Sequence, residues 1–275
     1  MSYFLNLGLS REPFSTSPDP SFFYKSMAHN QALQRLEIAI RLRRGLSVIL
    51  GDVGTGKTTL ARCLVNAFSG DGKYLFHILL DPDFKSEYQF LHLVTKLLNA
   101  EPLFRSTLDY KEAIEKFLFQ KGVEEDKTVV LLIDEGQKLS PNILEILRIL
   151  LNFETNEYKL LQLVIFGQME LLPKVQRIRN FTDRINLKYI INPLNLQETR
   201  ELIEFRLRKA GWSSSTLFFT DEAVKKIYEV TQGYPRRIAL ICHNALEQLV
   251  MTAERIVDSQ MISELVRREE PVHAL

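Results

Sequence analysis

Apolar residues gather in five short runs: Leu46 to Leu50 (LSVIL), Lys73 to Leu80 (KYLFHILL), Thr128 to Ile133 (TVVLLI), Leu160 to Gly167 (LLQLVIFG) and Leu187 to Ile191 (LKYII). Nearly continuous apolar runs of this length read as strands of a parallel sheet covered on both faces. Between them the period changes to that of amphipathic helices. His29 to Arg44 carries Leu33, Leu36 and Ile40 on one face, and the stretch from Thr59 carries Leu60, Leu64 and Ala67. Further helices are predicted over Ser86 to Asn99, Tyr110 to Lys121, Pro141 to about Phe153 (with Ser140 as N-cap) and Met169 to Gln176. Strands alternating with helices predict an α/β fold with a helix-flanked parallel sheet.

From Pro193 onward no strand pattern remains. Asn195 with Glu198 makes a capping-box-like start, and that helix stops at Gly211. Thr220-Asp221 caps a second helix, Pro235 opens a third that runs to about Ala253, and Asp258 caps a fourth. The expected division is an α/β core over residues 1–193 and an all-helical module over 194–275. Residues 1–28 are aromatic and Pro-rich, too apolar for a disordered tail. They are expected to wrap the core, either as packing alone or as a wall near a nucleotide base.

The hydrophobic content of 45% is ample for a core in a chain of 275 residues. A net charge of +1 gives no bulk electrostatic reason to expect nucleic acid, although a local basic stripe stays open, with Lys and Arg at 41–44, 174–188 and 206–209. Cys63 and Cys242 both fall in helical patterns and read as buried free thiols of a reducing compartment. The five histidines (29, 77, 92, 243 and 273) show no metal-ligand spacing. No run approaches the ~18–20 apolar residues of a membrane span. The N-terminus has neither the basic nor the apolar region of a secretory signal. The expectation is a cytoplasmic protein without direct membrane insertion.

One stretch carries chemistry. Gly51-Asp52-Val53-Gly54-Thr55-Gly56-Lys57-Thr58 fits G-x-x-x-x-G-K-[ST] at every fixed position and lies between a predicted strand and a predicted helix. Glycines allow backbone N–H groups to approach phosphates. Lys57 would reach the β- and γ-phosphates of ATP, and Thr58 would ligate Mg²⁺, with Thr59 next on the helix. Asp134 and Glu135 follow the strand that ends at Ile133. An acid at a strand's C-terminal end suits Mg²⁺, and its neighbour can act as general base toward water. Gln168, after LVIFG, is the candidate γ-phosphate sensor, with a plain turn residue as its alternative. Arg177, Arg179 and Arg184 cluster downstream, either as surface salt bridges or contacts to an acidic partner, or with one as an arginine finger reaching a neighbouring subunit's γ-phosphate. Arg184 is preferred because it directly precedes the last strand. Arg236 opens a helix, where a cation opposes the helix dipole unless an anion such as phosphate satisfies it.

Taken in order, GDVGTGKT at 51–58, LLIDEGQKL at 131–139, VIFGQMEL at 164–171, DRI at 183–185, GYPRR at 233–237 and the start PFSTSPDPSFFY at 13–24 resemble the ExeA-type AAA+ ATPases, the general secretion pathway protein A family. The resemblance covers essentially the whole chain. It implies a five-stranded sheet of order 5-1-4-3-2, a helical lid, ATP or ADP bound between core and lid, and assembly into a ring or helical filament. It gives Lys57, Thr58, Asp134 and Glu135 the Walker roles, Arg184 the finger role and Arg236 the second-sensor role. Longer members continue into a membrane helix and a peptidoglycan-binding domain. Without those the chain is expected to be a stand-alone ATPase or a fragment of a longer one, reaching the inner membrane through partners. The same subgroup includes transposition regulators of the TnsC and TniB kind. Two functions therefore stand: an oligomerising ATPase of a secretion, pilus or exopolysaccharide machine, or a regulator forming ATP-dependent filaments on DNA.

Overall fold

A computed structural model of the protein describes residues 2–178, 180–213, 217–252 and 254–269. Five strands form one parallel sheet: β1 (Leu46–Gly51), β2 (Tyr74–Leu79), β3 (Thr128–Ile133), β4 (Leu161–Gly167) and β5 (Ile185–Ile191). Their order is β2-β3-β4-β1-β5, which read from the opposite edge is the expected 5-1-4-3-2. The helices are α1 (Tyr3–Asn6), α2 (Met27–Arg41), α3 (Lys57–Ala67), α4 (Glu87–Leu98), α5 (Thr107–Phe119), α6 (Pro141–Leu150), α7 (Leu171–Gln176), α8 (Leu196–Lys209), α9 (Asp221–Thr231), α10 (Pro235–Thr252) and α11 (Ser259–Glu269).

The chain divides into two compact units. One comprises Ala28–Asp52 and Leu60–Ile191, the other Met1–Met27, Val53–Thr59 and Asn192–Leu275. In the first, the three inner strands β1, β3 and β4 are buried along their whole length, as their nearly continuous apolar sequences require. The edge strand β5 alternates half-buried with exposed positions, which accommodates Lys188 and Tyr189. The one polar side chain inside β4, Gln162, is satisfied at both ends. Its Oε1 accepts from the Gly45 N–H and its Nε2 donates to the Lys159 carbonyl, each at 2.8 Å.

Helix α2 stops at Arg41, short of the expected Arg44, because Arg43 takes a left-handed conformation, φ 49°. Its side chain then serves a different purpose from a helix-end cation. Arg43 Nε donates to Thr128 Oγ1 at 2.9 Å, its Nη2 meets Asp126 Oδ1 at 2.9 Å, and the guanidinium lies 4.4 Å from the Tyr158 ring centre. It clamps the entry of β3.

The second unit has its own core. Leu202, Ile203 and Leu207 of α8, Ile227 of α9, Ile238, Cys242 and Leu246 of α10 and Ile262 of α11 share it with Leu9, Phe14 and Phe22. The N-terminal segment, expected to wrap the sheet-bearing core, packs instead in this helical unit. Phe14 is fully buried against the Phe219 ring, Tyr24 donates to Glu201 at 2.5 Å, and Arg206 donates to the Ser15 carbonyl at 3.1 Å. Aromatic content predicts that a segment packs somewhere; it carries no information about which surface receives it.

The helix starts follow their capping residues. Asn195 and Glu198 form a reciprocal capping box, Thr220 accepts from the Ala223 N–H, and Asp258 accepts from the Met261 N–H. The third predicted end, Ala253, lies outside the described residues. No helix among the described residues is long and apolar enough to cross a membrane.

Candidate functional site

The glycine-rich loop leaves the C-terminal end of β1 at Gly51 and enters α3 at Lys57. Gly54 and Gly56 have φ of 83° and 93°. Only glycine takes such angles readily, and a glycine-rich turn of this kind lets main-chain N–H groups come close to an anion. Thr55 and Lys57 are buried, Lys57 at 7% exposure. An ammonium removed from water that far needs compensating negative charge or hydrogen bonds. Within the same unit, the first turn of α10 meets this loop: the Arg236 N–H donates to the Gly54 carbonyl at 3.3 Å. Arg237, beside it, lies over the Tyr234 ring at 5.3 Å.

In the sheet-bearing unit, β3 and β4 are adjacent and β4 adjoins β1. Register pairs Leu50 with Gly167 and Ile133 with Ile165, so the three strands end along one edge. That edge carries Asp134 and Glu135 after β3, Gln168 after β4 and the start of the loop after β1. It is where open parallel sheets bind ligands. Asp134 is 3% exposed, uncommon for a carboxylate. Its main-chain N–H donates to Leu79, and its Oδ1 accepts the Glu135 N–H at 2.9 Å. Glu135 adopts a left-handed backbone, φ 52°, a conformation that costs an ordinary residue about 1 kcal/mol or more. It turns the chain sharply off the strand. The following Gly136 is pressed against β4, where a Cβ would come within 2.4 Å of Ile165 Cγ2.

One residue at this edge was not singled out from the sequence. Gln137 donates from Nε2 to Glu135 Oε2 at 2.6 Å and accepts the Gln168 N–H at Oε1 at 3.0 Å. Its carbonyl also accepts from Lys174. The signal available was its position inside LLIDEGQKL, two residues past the acidic pair, on a turn that faces the neighbouring strand.

Arg184 is not brought to this edge. It ends the short 3-10 turn Thr182–Arg184, directly before β5, whose first residue pairs with Leu46 at the start of β1. Parallel strands of this length span about 20 Å, so Arg184 sits a full strand away from Asp134, at the opposite end of the sheet. Its charge reaches Glu145, whose carboxyl is held below its usual range first by hydrogen bonding to Arg148 and then by the charges of Arg148 and Arg184. Arg177 caps the end of α7 and is exposed, while Arg179 lies outside the described residues.

The donor set fits a magnesium nucleotide. A positive-φ glycine loop, a buried lysine, the N-terminus of an eleven-residue helix and a hydroxyl at Thr58 are groups a polyphosphate takes. A buried aspartate at a strand end is the hard oxygen donor that Mg²⁺ takes.

Residues 40–175 match the family model described as AAA domain. General secretion pathway protein A of Aeromonas hydrophila is 36% identical over 249 residues, covering 87% of this chain and 43% of that protein. The chain spans less than half the length of the curated relatives it matches. Among solved structures, Drosophila ORC bound to DNA superposes with a TM-score of 0.69 at 20% identity, over 94% of this chain and 64% of that one. The Thermotoga maritima RuvB Holliday junction branch migration motor gives 0.59 at 14% identity, over 90% and 73%. At such identities these two likenesses speak for the fold. Sheet order and loop agree with these matches: the chain carries an AAA domain and is similar in sequence to general secretion pathway protein A.

Proposed function

We propose that the protein binds ATP with Mg²⁺ at the loop Gly51–Thr59, hydrolyses it, and uses the nucleotide state to control assembly of its own copies into a ring or filament serving an envelope machine. The observation that carries this reading is the shared sheet edge: the loop, the Asp134-Glu135 pair and Gln168 all leave neighbouring strands at the same end. Lys57 and the loop N–H groups hold phosphate charge, and Thr58 and Asp134 hold the metal. Bound Mg²⁺ would draw charge from the phosphate oxygens during transfer. Glu135 accepts a proton from the attacking water, and Gln168 reads the γ-phosphate.

Arg236 and Arg184 extend the site. Arg236 lies against the loop through its own main chain, which suits it to report nucleotide to the helical unit, read here as the lid. Arg184 stands a strand's length from its own chain's acidic pair, so its finger role falls to the site of a neighbouring copy. The near-neutral charge and the similarity to general secretion pathway protein A favour a protein machine over DNA as the partner.

The test pairs nucleotide binding with phosphate release. Lys57→Ala should lose binding, whereas Glu135→Gln should keep it and lose about 10²-fold or more of turnover. Wild-type turnover in Glu135→Gln would overturn the assignment. Electron microscopy with a non-hydrolysable ATP analogue, with and without duplex DNA, addresses the partner. Assemblies that form only on DNA and dissolve with rising salt would replace the envelope reading with the DNA-filament one.

A further inference from the structure

Gln137 spends both ends of its side-chain amide on residues of the acidic edge. Nε2 donates to the Glu135 carboxylate at 2.6 Å, and Oε1 accepts the Gln168 main-chain N–H at 3.0 Å. The orientation of the amide is fixed by its partners, since a carboxylate can only accept and a main-chain N–H can only donate. Reversing the amide would break both bonds at once.

The turn that carries Gln137 is itself held. Gly136 has no space for a side chain, with Ile165 Cγ2 at 2.4 Å and the Phe166 carbonyl at 3.1 Å from where a Cβ would stand. Lys174, from α7, donates to the carbonyls of Gln137 and Leu139. The carboxylate of Glu135 thus has a bonded path to the end of β4 that runs through a single side chain.

We propose that Gln137 is a positioning residue: it holds the Glu135 carboxylate in register with the end of β4, so that a displacement of Gln168 is passed to Glu135. The proposal rests on the reading of Glu135 as the general base. It gives the unusual backbone of Glu135 a purpose, because the left-handed turn is what brings residue 137 back toward both partners. A sensor and a base on separate strands then respond as one group.

Two variants of similar size separate the bonds. Gln137→Glu keeps an acceptor for the Gln168 N–H, removes the donor to Glu135 and sets a like charge beside it. Gln137→Met removes both bonds. Steady-state ATP turnover should show kcat reduced about tenfold or more in both, with KM for ATP within about twofold of wild type. Added to Glu135→Gln, Gln137→Glu should lower turnover no further, because residues acting as a unit are not additive. The inference falls if both variants turn over within about twofold of wild type, or if the loss in kcat is matched by losses in ATP affinity and melting temperature, which would make the role structural. Failure of the underlying reading is seen separately, as normal turnover in Glu135→Gln alone.

Discussion

The main-chain N–H of Arg236 donates to the carbonyl of Gly54 at 3.3 Å, so the first turn of α10 rests on the glycine-rich loop. The N–H groups of a first helical turn have no partner inside the helix, and the loop supplies one. The contact leaves no slack. A Cβ on Gly54 would stand 3.0 Å from Arg236 Cβ.

Gly54→Ala should therefore act on both residues. An alanine at φ 83° is strained by about 1–2 kcal/mol, and its methyl group presses on Arg236. The expected outcome is a lower melting temperature and weaker binding of an ATP analogue by calorimetry. An alanine variant that melts and binds like wild type would contradict this account of the loop.

Arg184→Ala should leave nucleotide binding intact and reduce turnover about 10³-fold, the lower range for loss of an arginine finger. The decisive measurement is a mixture. Arg184→Ala copies keep a complete acidic edge, and Glu135→Gln copies keep the arginine. Mixing two inactive preparations should restore part of the phosphate release, and a mixture as inactive as its components would rule out action between copies.

Gly233→Ala tests the junction between β5 and α8 on one side and α10 on the other. Gly233 accepts the Leu194 N–H at 2.9 Å, has φ 75°, and a Cβ there would fall 1.9 Å from the Leu194 carbonyl oxygen. Main chain cannot yield as a flexible side chain can. Destabilisation above about 2 kcal/mol is expected in denaturant unfolding, and a shift under half that size would show that this turn relaxes freely.

His77 gives a pH dependence. Burial lowers its pKa, with only partial opposition from a hydrogen bond to the Leu97 main chain, and its Nε2 is buried without a partner. The unfolded chain then binds the proton more readily than the folded one. The stability from neutral His77 is complete above the ordinary value of about 6.5 and is lost as pH falls below it, levelling once folded His77 is protonated too. Urea melts of wild type and His77→Leu at pH 7.5 and 5.5 should show wild type losing more stability than the variant. Equal losses would remove His77 as the cause.

Much of this molecule was legible in the chain because its signals are local. Nearly continuous apolar runs report burial on both faces, and β1, β3 and β4 bear them. Capping residues report where helices begin, as at Ser140, Asn195 and Thr220. The glycines at 54 and 56 report a backbone of positive φ. Each property is settled within a few residues, where steric and hydrogen-bonding demands act on neighbours in sequence.

Only the tertiary structure decided what distant segments do to each other. Aromatic residues 13–24 could have covered several apolar surfaces, and Phe14 and Phe22 pack into the core of the helical unit. Gln137 reads in the sequence as one polar residue of a turn. It becomes a link between Glu135 and Gln168 because β3 and β4 are neighbours in the sheet and Glu135 turns back on itself. Arg184, expected to serve a neighbouring copy, stands before β5 at the end of the sheet opposite Asp134, a placement set by the parallel pairing of β5 with β1. Strand order and register are long-range pairings, and no local pattern encodes them.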